Sequence, residues 1–242
     1  MILSPILKPV LNPILSSATG AITRYFTEFD NVAQSYVDVG TQVDVSESVI
    51  SLYADFAINS VDNLNNILGL YTSDASEAIG VRIEEFGVLK FYSEGFTPGM
   101  GSTVVTDGKL HNLHATLNKA TGDIEVWLDG NLEYTSSHSD LSKLKGAYKV
   151  SIGVRIKSVG GVTDSHYSGV ISNSKIDNSG STVLDIPINQ NYTSTNNTVI
   201  DLSGNGNNGT FVNVADGDST LYTQNSDGDW VDGSGNVLEV AY

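Results

Sequence analysis

The sequence predicts an all-β chain, a jelly-roll sandwich of two antiparallel sheets preceded by an extended N-terminal arm. Three observations carry that prediction. Apolar and polar residues alternate with a period of two in one short run after another, as strands with one buried face require. The chain has 24 glycines among its 242 residues and is rich in Asn, Ser and Thr, while long charged helix formers are scarce, a composition suited to strands joined by tight turns. A chain of this length also suits one sandwich of ordinary size with a sizeable core.

Residues 1–20 are read as the arm. Met1 to Ser17 reads MILSPILKPVLNPILSS, a tetrapeptide repeat with Pro5, Pro9 and Pro13 in register. Proline every fourth residue removes backbone donors and clashes with a helix, so an extended or irregular course is expected. The prolines break up its apolar residues and no basic region precedes them, which makes it a poor signal peptide. Ile6, Leu7, Val10, Leu11, Ile14 and Leu15 are read as side chains that dock on a partner. The alternative is that the arm folds back on its own sandwich.

Residues 21–215 are assigned to the sandwich. Tyr25, Phe26 and Phe29 begin it, followed by Tyr36 to Gly40. In Val49 to Ile58, the residues Ile50, Leu52, Ala54, Phe56 and Ile58 alternate with Ser51, Tyr53, Asp55 and Ala57. Shorter strands are expected over Ile67 to Tyr71, Val81 to Ile83 and Val88 to Tyr92. The centre of the chain is Asp107 to Tyr134. There Leu113, Ala115 and Leu117 share one face, and Ile124, Val126 and Leu128 share one face. The connection Asn118 to Gly122 makes these two runs a β-hairpin. One helical turn is expected over Ser139 to Gly146, then strands over Lys149 to Ile156, Tyr167 to Ile176 and Val183 to Ile188, the last at an edge or strand end because it carries Pro187. Residues 216–242 form a C-terminal tail with Trp230 and the short apolar run Val237 to Val240, expected to supply a last strand or a subunit contact.

Several of these residues match a known pattern. Asp107, Gly108, His111, Thr121, Gly122, Val126, Asp129 and Gly130, with Leu110 in place of a Trp, resemble the central hairpin of laminin-G-like or concanavalin A-like lectin domains. Tyr36 to Gly40 resembles a Y-V-D-hydrophobic-G strand of the same domains, and Tyr167 to Ile176 resembles their closing strand. Asp201 to Thr210, DLSGNGNNGT, resembles a turn that in those domains lies near the start, so its position after the closing strand implies a permuted order, which is cheap when chain ends lie close together. The whole arrangement, arm included, resembles tailed-phage virion proteins. The resemblance implies a concanavalin A-like scaffold and, as function, a non-enzymatic virion structural protein, a capsid decoration or tail-fibre-associated protein that displays a lectin-like sandwich to host glycans. The rival expectation is a secreted, extracellular carbohydrate-binding or adhesin module.

Charge and composition narrow the partners. With 12 Lys and Arg against 28 Asp and Glu the net charge is −16, which lacks the basic footprint of nucleic-acid or anionic-membrane binding. No apolar run is long enough for a membrane span. There is no cysteine, so neither disulfides nor thiolate metal sites are expected. The expected partners are other virion proteins through the arm, together with host glycans. A homo-oligomer is left open.

The sequence carries no recognisable catalytic motif, and a non-enzyme is expected. The acid pairs of glycosidases need one carboxyl to attack and another to donate a proton, but Glu28-Phe29-Asp30 lacks the second Glu, with Ala33 in its place. Glu84 and Glu85 are adjacent and so point opposite ways on a strand. His111 and His114 are three apart on a strand, on opposite faces, and cannot chelate one metal together. Calcium is the one cofactor considered. Asn225, Asp227, Asp229, Asp232, Ser234 and Asn236, and separately Asp201 with Asn205, are clustered oxygen donors in Gly-rich loops, although solvated Asx-capped turns are the preferred reading of both. Candidates for a sugar platform are Trp127, Tyr53 and Tyr92. For Trp127 a subunit contact and a place in the core remain alternatives, the core being preferred.

Overall fold

The computed structural model describes residues 22–30, 33–61, 64–72, 79–93, 99–138, 146–156, 163–227 and 229–238. The arm, almost all of the turn expected over Ser139 to Gly146, and the end of the run Val237 to Val240 lie outside these residues. Among the described residues every regular element is a strand, and no helix is long and apolar enough to cross a membrane.

In chain order the strands are β1 (Thr23–Phe29), β2 (Tyr36–Asp44), β3 (Val49–Ala57), β4 (Asn65–Tyr71), β5 (Ile79–Ile83), β6 (Val88–Ser93), β7 (Met100–Val104), β8 (His111–Asn118), β9 (Asp123–Leu128), β10 (Asn131–Ser137), β11 (Ala147–Ile152), β12 (Arg155–Ile156), β13 (Thr163–Asp164), β14 (Gly169–Asn178), β15 (Ser181–Pro187), β16 (Thr198–Val199), β17 (Gly209–Val212), β18 (Ser219–Gln224) and β19 (Trp230–Asp232). A nine-stranded sheet runs β10-β9-β8-β3-β14-β1-β18-β19, with β15 also on β14, and an eight-stranded sheet runs β16-β17-β2-β11-β4-β5-β6-β7. Both are antiparallel. The chain is therefore the two-sheet jelly roll that the alternation predicts.

The alternation works as binary patterning should. Ile50, Leu52 and Phe56 of β3, Leu113 and Leu117 of β8, and Ile124 and Val126 of β9 are 0 % exposed and meet Leu68, Leu70, Val81, Phe91, Val150 and Ile152 of the other sheet in one core. Their out-of-phase neighbours face outward. A smaller cluster gathers Phe26, Ala57, Val170 and Leu238, with Tyr222 and Trp230 against it, where β18 and β19 extend the first sheet beyond β1.

The strand expected over Lys149 to Ile156 stops at Ile152. Gly153 turns the chain at φ 81°, and a Cβ there would lie 2.5 Å from the Phe29 ring, so only glycine fits. The chain then folds over the outer face of the eight-stranded sheet, where Val154 and Ile156 cover Tyr71 and Tyr92.

At one long edge the two sheets are tied together by side chains rather than by a shared strand. The Glu133 carboxylate of β10 accepts the N–H groups of Ser102 and Thr103 and the Thr103 hydroxyl of β7. Beside it the Tyr134 hydroxyl accepts the Phe91 N–H at 2.6 Å.

Candidate functional site

Cross-strand register on the nine-stranded sheet builds an ordered outer face. One rung runs Asp185, Lys175, Tyr53, His114, Trp127, Leu132 across β15, β14, β3, β8, β9 and β10. On one side of it lies Thr182, Asp177, Ser51, Thr116, Glu125, Thr135, and on the other Pro187, Asn173, Asp55, Asn112. From Tyr53 to Leu132 the rung is aromatic and aliphatic, with the charged Lys175 and Asp185 at its other end; a row of hydroxyls and carboxylates flanks it throughout on one side, and Asn173, Asp55 and Asn112 flank it on the other as far as β8. Each member is out of phase with the core residues of its own strand, which is why it faces outward.

The central rung is held in place by its own contacts. Tyr53 and His114 stack with ring centroids 4.4 Å apart and an interplanar angle of 4°. Lys175 Nζ sits 5.0 Å from the Tyr53 centroid while it donates to Asp177 Oδ2 at 2.9 Å. His114 Nε2 and Thr116 Oγ1 are 3.0 Å apart. Burial lowers the His114 pKa, against the pull of Asp177 and Glu125, so the ring is a neutral imidazole at neutral pH. Burial also raises the Tyr53 phenol and the carboxyls of Asp55 and Asp185. Asp55 is fixed by Asn112 Nδ2 at 2.7 Å and by Arg24 at 4.0 Å. Over β9 and β10 the face dips into a shallow depression of about 450 Å³ lined by Asp123, Glu125, Thr135, Ser136 and Ser137.

Of the platform candidates, Tyr53 and Trp127 are brought together on this rung. Trp127 is half-buried on the outer face and is not part of the core expected for it, because its out-of-phase neighbours Val126 and Leu128 take the inner side. Tyr92 lies elsewhere and is 6 % exposed. Its hydroxyl sits over the facing glycines Gly69 and Gly80 of β4 and β5, and the Arg82 and Arg155 guanidiniums lie 5.3 and 5.6 Å from its ring centroid. It is therefore a covered ring and no platform. Trp230 packs edge-on against Phe26, with centroids 5.1 Å apart.

Among the calcium candidates, Asp201, Asn225 and Asp232 are Asx-turn residues whose oxygens hold backbone. Asp201 Oδ1 accepts the N–H groups of Asp185 and Ser203, and its Oδ2 accepts the Asn207 N–H and the Ser203 hydroxyl. Burial would raise this carboxyl, but those donors hold it below its ordinary value. Asn205 Nδ2 donates to the Thr182 and Val183 carbonyls and so stitches the loop to β15. Farther on, Asn225 Oδ1 accepts from Asp227 and Asp229, and Asp232 Oδ1 from Ser234 and Asn236. Among the described residues no group of three His, Asp or Glu side chains is arranged around a metal position.

His114, Lys175 and Asp177 were not foreseen from the sequence as members of one face with Trp127. Period-two phasing places each of them outward, but their alignment is a matter of register between strands distant in sequence.

No protein-family model and no curated protein sequence matches the chain. Solved structures do resemble it. A putative carbohydrate binding protein from Bacteroides ovatus superposes with a TM-score of 0.56 at 15% identity, over 83% of this chain and 60% of that one. The chain thus spans about three fifths of that protein's length. A heptameric SAP-like pentraxin from Limulus polyphemus superposes with a TM-score of 0.53 at 13% identity, over 63% of this chain and 75% of that one. The fold is that of the lectin-like jelly-roll sandwiches.

Proposed function

We propose that the chain is a non-catalytic carbohydrate-binding module, that its glycan platform is the outer face of the nine-stranded sheet, and that the N-terminal arm anchors it on a virion surface. The observation that carries the binding reading is the rung of Lys175, Tyr53, His114, Trp127 and Leu132 with polar rows beside it. A sugar ring has apolar C–H patches and a rim of hydroxyls, so it wants an aromatic or aliphatic surface with hydrogen-bonding groups on either side. The likeness in fold to a protein described as carbohydrate binding supports the same reading. A glycan array probed with the intact protein should give at least one ligand, and Tyr53→Ala and Trp127→Ala should each weaken it about tenfold while the fold survives. An empty array, or undiminished binding by both variants, would overturn the platform.

The anchoring role is supported by the proline-spaced apolar repeat of Met1 to Ser17 and by the resemblance to tailed-phage virion proteins. Deleting residues 1–17 should leave a folded sandwich that binds its glycan and no longer joins its particle. Normal incorporation would sink the anchor and favour a secreted glycan-binding or adhesin module, which the same platform would serve.

A further inference from the structure

We infer that the ligand of this face is a glycan bearing free amino groups and no anionic ones, an inference that rests on the outer face being the platform. The charges on that face are one-sided. Asp123, Glu125 and Asp185 point outward from β9 and β15, whereas Asp55 and Asp177 are buried and taken up by Arg24 and Lys175. The cations beside them are already committed. Lys175 is bound to Asp177 at 2.9 Å and lies against the Tyr53 ring. Arg24 donates to the Ser172 carbonyl at 3.0 Å and stands 4.0 Å from Asp55. His114 is neutral and tied to Tyr53 and Thr116.

The depression over β9 and β10 sharpens this. Asp123 and Glu125 line it with Thr135, Ser136 and Ser137, and among the described residues no cation pairs with either carboxylate. Glu125 stands two residues before Trp127 on the same face of β9, so a sugar seated on the Trp127 and Leu132 pair extends its substituents toward it. An ammonium there donates charge-assisted hydrogen bonds to the carboxylates, while a carboxylate, sulfate or sialic acid meets like charge with nothing to offset it. The net charge of −16 adds a field that concentrates cationic chains and repels anionic ones.

The test uses the full-length protein and one sugar backbone in three forms, oligoglucosamine with free amines, the same oligomer N-acetylated, and the same oligomer N-sulfated, measured by titration calorimetry beside a broad glycan array. The expected order is free amine tightest, N-acetylated weaker, N-sulfated without measurable binding. The advantage of the free amine should shrink as salt is raised. In the double variant Asp123→Asn/Glu125→Gln the free-amine affinity should fall about fivefold toward that of the N-acetylated form. Equal or tighter binding of the N-sulfated form, array ligands confined to neutral or acidic glycans, or an unchanged amine preference in the double variant would each overturn the inference and leave the platform standing. A blank array with all three oligomers inert would remove the platform itself, and the inference with it.

Discussion

His111 is gripped from both sides by the acidic residues of its own hairpin, with Nδ1 2.8 Å from Asp129 Oδ2 and Nε2 3.0 Å from Asp107 Oδ1. Burial alone would lower its pKa, but the bonds to Asp129 and Asp107 outweigh burial and hold it above its ordinary value. Burial would raise the two carboxyls, and the Lys109 N–H with His111 on Asp107, and His111 with the Asn112 N–H on Asp129, bring them below theirs. The raised histidine stabilises the fold at pH values below about 6.5, and that contribution fades as pH climbs through its folded pKa. The lowered carboxyls stabilise it above about pH 4, and their contribution fades as pH falls. His111→Gln should therefore lower Tm most between about pH 4 and 6.5 and less on either side. A pH-independent loss would assign the residue's role to its packing on Phe56. Asp201 makes a second residue-scale case. Its four accepted bonds leave little for a cation, so adding calcium or a chelator should shift Tm by less than about 1 °C, whereas Asp201→Ala, which orphans buried N–H groups, should cost about 2 kcal/mol or more by urea unfolding.

At the scale of elements, β7 shows how an edge can be held by one side chain. Met100, Ser102, Thr103 and Val104 are exposed, so little apolar burial pins this strand. Glu133→Ala should speed amide hydrogen exchange at Ser102 and Thr103 by about tenfold or more while global stability moves little, since such openings are local. Unchanged exchange would show that pairing with β6 suffices. β7 and β10 were also the strands hardest to read in advance. MGSTV and NLEYTSS carry no clean apolar alternation because neither buries a full face, whereas β3, β8 and β9 do and were legible residue by residue. The candidate site was legible in part for the same reason. Phasing set Tyr53 and Trp127 outward, but only pairing distances decide that Tyr53 meets His114 and that His114 meets Trp127. Tyr92 has the same outward phase on its strand, and it is hidden by Val154, Arg155 and Ile156, whose folding back over the sheet no local pattern announces.

For the molecule as a whole, the C-terminal segment completes the sheet. Phe26 is 2 % exposed because Tyr222 and Trp230 meet it edge-on at 5.5 and 5.1 Å. Trp230→Ala should cost about 2 kcal/mol in chemical unfolding, and removal of residues 216–242 should uncover both Phe26 and the free edge of β1 and drive aggregation on heating. A truncated chain that melts like the parent would show that β18 and β19 are dispensable.

β1 pairs with β18 through the aligned partners Thr23 with Thr223, Arg24 with Tyr222, Tyr25 with Leu221, Phe26 with Thr220 and Thr27 with Ser219, and beyond them reaches β14 at Phe29 and Gly169. Bonds between antiparallel strands lie across the strand axis. A pull applied at Ile22 along that axis therefore loads all of these pairs in shear at once instead of peeling them one by one. Were the chain anchored by its first residues and bound through the outer face as proposed, this shear geometry would make the attachment mechanically resistant under flow.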